Sequence, residues 1–277
     1  MPFFSFKPAS EFSIQQTADL LTRGFEEYLI PISIDESALL SMLHRDGVDL
    51  NESRILLKDD EPIGVALIAP RGSLQASRLA AMGIVSQARN SGAGTWAMER
   101  LIEEARARSE QEMLLEVIEQ NIAGVKLYKK VGFSKVRRLV GYKLENPQVE
   151  SDEELNEIDI RELARLVTDH GLKDLPWQLS GTTILQRARP SRAFGLSNAY
   201  CLISNPEEEH VFFWSVLVKT RSRGAGLSPV LMRAVFSRFP NKTWHVPAIF
   251  PEEMSIIFEQ AGMQREEISQ WQMALKL

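Results

Sequence analysis

Between Ser86 and Ala105 the chain reads SQARNSGAGTWAMERLIEEA, a glycine-bearing loop that runs into a helical pattern. A strand-like run, SRLAAMGIVS, leads into it, and an amphipathic helical pattern leaves it from Thr95 to Arg108. Between them, Gly92 and Gly94 let the backbone turn tightly with no side chain between it and a ligand. The N–H groups of such a strand–loop–helix junction converge on an anion at the positive end of the helix, which makes the loop a candidate pyrophosphate site. No Gly-Lys-Ser/Thr follows, which argues against a nucleoside-triphosphate P-loop. The third glycine and the downstream acidic residue of a dinucleotide-binding unit are also missing.

Upstream, QQTADLLTRGFEEYL carries apolar residues at helical spacing (Ala18, Leu21, Phe25, Leu29), and SALLSMLHRDG predicts a second helix ended by Gly47. RILLKDDEPIGVALIAPRG reads as two strands around a turn. Gly83 in the next strand marks a bulge or a close backbone approach. Downstream come the strand MLLEVIE, the helix AGVKLYKKV and a pair of short strands through LVGYKL.

The second half repeats this order. A hairpin in AYCLISNPEEEHVFFWSVLV precedes TRSRGAGLSPV, which again has Arg, two residues and Gly-Ala-Gly; a helix, the strand TWHVPAI, the helix EEMSIIFEQAG and the strand SQWQMALKL follow. Between the halves, ENPQVESDEELNE (Glu145–Glu157) holds six acidic residues and no basic one, the mark of a linker that runs on into a helix. The expected organisation is therefore α/β: two tandem domains, each a mixed twisted sheet flanked by helices. Their expected bounds are 1–147 and 158–277, with the linker at 148–157.

A net charge of −5 and a pI near 5.6 argue against a nucleic-acid partner. No run approaches ~20 uninterrupted apolar residues, so no membrane span is expected. MPFFSFKPASEF does not resemble a signal peptide, and the expected location is cytoplasmic. The single cysteine, Cys201, lies in the apolar run AYCLIS; it excludes an internal disulfide and reads as a core residue. No metal site is expected.

The segment EVIEQNIAGVKLYKKVGF (Glu116–Phe133) adds an Asn directly after a strand, a Tyr seven residues later and then Gly-Phe. Together with SQARNSGAGTWAMERLIEEA, it resembles the GNAT superfamily of N-acetyltransferases, most closely from Ala81 to Glu145. The resemblance implies acetyl-CoA as cofactor and direct acetyl transfer to an amine. It implies that backbone amides of Arg89, Asn90, Ser91, Gly92, Ala93, Gly94 and Thr95 cradle the pyrophosphate. The main chain around Ile84, Val85 and Ser86 would hold the pantetheine and acetyl groups where two parallel strands splay. Asn121 would reach the pantetheine arm, and Tyr128 would serve the departing thiolate as catalytic acid.

Each residue also has a plainer reading. Asn121 suits a helix cap, Tyr128 a half-buried aromatic, and Arg89 a brace for the loop. Many family members carry a Glu where Arg78 stands here. Arg78 is read either as a solvated strand-end residue or as a partner for an acidic substrate group. Asp35, Glu36, His44, Glu116 and Glu119 remain as candidate bases. Acceptor contacts are expected in Gly24–Gly47 and between the halves. One chain with two copies favours a monomer over a homodimer.

Aligning the two Gly-Ala-Gly loops places Arg221, Gly224 and Gly226 on Arg89, Gly92 and Gly94, and Val216 on Ile84. Aligning the later Gly pair places Phe258, which has no hydroxyl, on Tyr128. No asparagine matches Asn121, and Glu252 and Glu253 lie near the pantetheine path. The second domain is therefore expected to be a degenerate copy. The alternative for the whole chain is a non-enzymatic acyl-CoA-binding sensor on the same fold.

Overall fold

The computed structural model describes residues 3–30 and 32–277. The chain runs β1 (Phe4–Pro8), α1 (Ile14–Gly24), α2 (Glu36–Asp46), β2 (Asp49–Lys58), β3 (Glu61–Arg71), β4 (Ala76–Ile84), α3 (Ala93–Ala107), β5 (Glu112–Ile118), α4 (Ile122–Lys130) and β6 (Ser134–Glu145). It continues through β7 (Asn156–Ile158), α5 (Ile160–His170), α6 (Gly181–Leu185), β8 (Arg192–Leu196), β9 (Ala199–Ile203), β10 (His210–Val218), α7 (Leu227–Arg238), β11 (Thr243–Pro251), α8 (Ser255–Gln260) and β12 (Gln264–Lys276).

Local chemistry sets most element ends. Ser13 and Gln16 form a reciprocal capping box on α1, and Asp35 caps α2, which stops at Gly47 in the left-handed conformation (φ 69°). Asp59 and Asp60, both at positive φ, make the tight turn of the β2–β3 hairpin. The helical spacing that extends to Leu29 is not followed, because α1 ends at Gly24 and Leu29 is half exposed. The cause is tertiary. A Cβ on Gly24 would lie 2.7 Å from both Cα and the carbonyl carbon of Gly83, so helix and strand meet backbone to backbone there. Gly83 thus serves close approach; the bulge in β4 falls at Ala80, between the Leu67–Ala81 and Ile68–Leu79 pairings.

The chain forms two compact units, residues 1–136 with 271–277, and residues 137–270. This division differs from the expected boundary at the acidic stretch, for two physical reasons. The sequence reads a pair of short strands through LVGYKL, but β6 is one strand, and Leu139–Glu145 pairs antiparallel with β11 in the second unit. The last residues complete the first unit's core instead: Met273 is fully buried with Met113, Tyr128 and Phe133, and the Lys135 ammonium sits 3.3 Å from the Trp271 ring centroid. The acidic stretch lies within the second unit, where Leu155 and Val149 join the core, and it runs into β7 rather than a helix.

In the first unit the sheet order is β1-β2-β3-β4-β5, with the end of β12 beside β5. In the second unit β6 is followed by β11-β10-β9-β8-β7. Each sheet is mixed: β4 and β5 pair in parallel in the first, and β10 and β11 in the second. Cys201 is fully buried in the second core, and burial pushes its thiol up to about 12. No described helix is long and apolar enough to cross a membrane. Among the described residues, no three His, Cys, Asp or Glu side chains are grouped to hold a metal ion.

Candidate active site

The parallel pairing of β4 with β5 runs only from Ala76–Glu112 to Leu79–Leu115. Beyond that rung β4 continues to Ile84 and β5 to Ile118 without pairing to each other, so the two strands part after the Ala80 bulge. Their facing edges present main-chain donors and acceptors, which an extended polar ligand can satisfy as a strand would. At the end of β4, some main-chain groups are already engaged. Val85 N–H donates to the Ile63 carbonyl (2.9 Å), and the Ile84 carbonyl accepts from Arg89 Nε (3.0 Å).

The loop after β4 begins with a 3-10 turn at Ser86–Ala88 and enters α3 through Gly92, held at φ 90° as a left-handed N-cap without a side-chain cap. The first intrahelical bond is from Trp96 N–H to the Gly92 carbonyl, which leaves the amides of Ala93, Gly94 and Thr95 directed out of the helix end. Asn90 is also left-handed, and Ser91 Oγ ties back to the Ala88 carbonyl. Gly94 has a packing role: a Cβ there would press on Leu127 Cδ2 at 3.2 Å. Lys130 Nζ lies 3.4 Å from Thr95 Oγ1 and adds positive charge at this end, a feature the sequence reading did not single out.

Arg89 turns away from the cradle. Its guanidinium donates to the carbonyls of Gly24 (3.1 Å), Glu26 (2.7 Å) and Ile84, and its own N–H donates to Ser86. Of its two readings, brace for the loop is the one its hydrogen bonds match, and it braces the α1–α2 connection to the end of β4.

Asn121 caps α4, its Oδ1 accepting from Gly124 N–H at 2.9 Å, while its Nδ2 donates to the Tyr28 hydroxyl at 3.2 Å. A Cβ on Gly124 would meet Asn121 Nδ2 at 2.7 Å, so a side chain there would push the capping amide out of place. Tyr128, on α4, is 8% exposed and packs edge-on to Phe133. Burial raises its phenol well above the usual range, and the nearby Tyr28 raises it further, so it stays protonated throughout physiological pH. Tyr28 is raised too, by burial, against a lowering hydrogen bond from Asn121. Sequence reasoning missed Tyr28, because its partner is 93 positions away.

Arg78 is neither solvated nor free for a substrate. It is 7% exposed, and its Nε donates to Glu116 Oε2 at 2.6 Å, across the last paired rungs of β4 and β5. The pair removes both a candidate anion receptor and a candidate base. Asp35 spends its carboxylate on the Ala38 amide at the start of α2, where Glu36 and His44 also reside.

The second unit repeats this construction, but two residues out of register with the Gly-Ala-Gly match. β10 pairs in parallel with β11 only over His210–Phe212, and its bulge falls at Trp214. A 3-10 turn at Thr220–Ser222 follows. Arg223 then donates to the carbonyls of Val218 and His170, Gly224 is left-handed, and Gly226 is the left-handed N-cap of α7. Thus Arg223, not Arg221, corresponds to Arg89, Val218 rather than Val216 to Ile84, and Gly226 to Gly92. Phe258 does correspond to Tyr128: Phe133 N–H donates to the Tyr128 carbonyl and Met263 N–H to that of Phe258. A cavity of about 500 Å³ opens at this loop, lined by Val216, Val218, Gly226, Met254 and Ile257 among others.

Residues 15–133 match the family model described as acetyltransferase (GNAT) family. The whole chain is similar in fold to a GCN5-related N-acetyltransferase from Sphaerobacter thermophilus (16% identity, TM-score 0.71, 99% of this chain and 95% of that one). It is also similar to a tandem GNAT protein from the clavulanic acid biosynthesis pathway (15%, TM-score 0.65, 100% and 98%). A third likeness is to a GCN5-related N-acetyltransferase from Anabaena variabilis (16%, TM-score 0.63, 98% and 72%). A comparison with curated proteins finds no match. The family match thus covers residues 15–133, the segment that holds the parted strands and the α3 N-terminus, and the fold is shared along the whole chain with the GNAT structures above.

Proposed function

We propose that the first unit transfers an acetyl group from acetyl-CoA directly to an amine. The observation that carries this is the parting of β4 and β5 beyond Leu79 and Leu115, beside the open N-terminus of α3 and the Asn121–Tyr128 face of α4. The amides of Ala93, Gly94 and Thr95, with Ser91, Gly92 and Asn90 shaping the turn and Lys130 adding charge, suit a pyrophosphate. The free edge of β4 toward Ile84 suits the pantetheine amides, and one N–H of Asn121 is left for the same arm.

In the transfer, the amine nitrogen bonds to the thioester carbonyl carbon as the carbon–sulfur bond breaks, and the amine's surplus proton leaves to water. A strand-edge N–H holds the developing oxyanion. Tyr128 faces the departing thiolate as a neutral donor. Its raised pKa suits it to a strong hydrogen bond to sulfur more than to complete proton delivery. With Arg78 and Glu116 committed to each other, the residue positions argue for a neutral amine or a water relay in place of a dedicated carboxylate base. Placing both reactants in one cleft supplies much of the remaining acceleration. We place the enzyme in the cytoplasm, acting as a monomer.

Thiol release from acetyl-CoA across an amine panel tests this reading. Wild type turns over at least one amine, Tyr128→Phe is slowed about 10- to 100-fold, and Asn121→Ala chiefly weakens cofactor binding. Unchanged turnover in Tyr128→Phe removes the acid assignment.

A second reading concerns the second unit, where the cavity at Arg223–Gly226 favours binding of a CoA-type ligand without transfer, because Phe258 supplies no hydroxyl. Calorimetry showing two equivalents of CoA bound, one of them insensitive to Asn121→Ala, supports it; a single equivalent rejects it.

A further inference from the structure

The bond between Tyr28 and Asn121 joins two segments with different expected tasks. Asn121 starts α4 in the cofactor site, and Tyr28 lies in the α1–α2 connection, where the acceptor is expected. That connection is seated at several points. Arg89 holds the carbonyls of Gly24 and Glu26. Thr22 Oγ1 accepts from Ile34 N–H at 2.9 Å and donates to the Ile34 carbonyl at 3.1 Å. The Phe25 ring meets Tyr28 edge-on, with centroids 5.1 Å apart.

The donor pattern around Asn121 is unambiguous. Oδ1 accepts from a backbone N–H, so it must be the oxygen, and the amide nitrogen must face Tyr28. With both ends held, the plane of the amide cannot rotate about its last torsion. One Nδ2 hydrogen remains for a ligand. Because the phenol oxygen is used as an acceptor, its own proton points elsewhere and is also available.

We propose that Tyr28 is a positioning residue of the cofactor site: its hydroxyl fixes the plane of the Asn121 amide for the pantetheine arm and so ties cofactor affinity to the seating of the α1–α2 connection. This rests on the acetyl-CoA reading of the first unit. Removing the hydroxyl leaves Gly124 N–H to hold Oδ1 but takes away the second of the two hydrogen bonds that fix the amide plane, so the Nδ2 end is less sharply placed. The cost therefore falls on the ligand and is transmitted through Asn121 alone.

The test is a double-mutant cycle on CoA binding by calorimetry with the full-length protein. Tyr28→Phe removes only the hydroxyl, and Asn121→Ser keeps a helix cap while removing the amide. The expected result is a Kd for CoA about 3- to 10-fold weaker in Tyr28→Phe, and less than about 2-fold further loss when Tyr28→Phe is added to Asn121→Ser. A site that merely loses loop stability weakens equally in both backgrounds, and that outcome overturns the proposal. So does a Tyr28→Phe protein that binds like wild type. If wild type binds no CoA at a site sensitive to Asn121→Ser, the acetyl-CoA reading itself fails and the Tyr28 role falls with it.

Discussion

The Arg78–Glu116 pair allows a quantitative prediction. The two side chains are 8% and 4% exposed and joined at 2.6 Å, so neither charge has much recourse to water. Removing Glu116 takes from the buried Arg78 its ion partner. Loss of a single partner of a buried pair costs about 3–5 kcal/mol, while replacing both by apolar residues of similar size is often neutral or stabilising. In Glu116→Leu, the stranded Arg78 also faces Arg71, which burial and the Arg78 charge already push down to about 10. For a chain of this size, ~3–5 kcal/mol lowers Tm by about 10 °C. We expect Glu116→Leu to show that loss, and Arg78→Met/Glu116→Leu to lie within ~2 kcal/mol of wild type. Urea titration followed by far-ultraviolet circular dichroism, with calorimetric Tm as a second measure, reads both. A Glu116→Leu variant that melts within ~2 °C of wild type contradicts the burial argument. A double variant as unstable as Glu116→Leu shows that shape, not charge, governs the site.

Three further outcomes follow from the structure. Arg89→Ala should leave CoA affinity within about 3-fold, because its guanidinium contacts carbonyls rather than the cradle, while hydrogen exchange at Phe25–Tyr28 rises markedly; a loss above ~10-fold would mean a direct phosphate contact. Gly24→Ala should destabilise by at least ~1–3 kcal/mol in denaturant titration, since its Cβ lands on the Gly83 backbone; an unchanged midpoint refutes the close approach. In the second unit, His245 Nε2 lies 3.0 Å from His210 Nδ1, and burial, His210 and Lys143 lower the His245 pKa, against a smaller opposing pull from Glu145. A lowered native pKa means stability that is complete above about pH 6.5 and is lost as pH falls through the native value. Stability should therefore decline from pH 7.5 to 5, and His245→Gln should flatten that decline; an equal slope in both proteins excludes the pair as its source.

Much of the site was legible in the chain because its signals are local. Gly92 at a strand–helix junction, Asn121 ahead of a helix and Tyr128 about two turns beyond the cap are all placed by neighbours a few residues away. Of the two readings of Asn121, the cap is seen directly: its oxygen accepts from Gly124 N–H, while its nitrogen faces the Tyr28 hydroxyl. The two Gly-Ala-Gly loops show where such reading stops. Residue identity aligns Arg221 with Arg89, but what the loop requires is a left-handed N-cap and an arginine two residues beyond that one, reaching back to the preceding strand. Those are properties of φ and of hydrogen bonds, and they select Arg223.

Local pattern along the chain specifies two α/β units, a glycine turn at a helix start in each, and an asparagine and a tyrosine hydroxyl at the matching positions of the first alone. Tertiary structure alone decided which groups those residues meet. It gave Arg78 to Glu116, Arg89 to the carbonyls of Gly24 and Glu26, and Tyr28 to Asn121, and it returned the last seven residues to the first unit's core. Periodicity and capping arise from neighbours within a few positions and are written in order along the chain. Partners 38 to 93 positions apart are brought together only when the strands pair and the helices close over them.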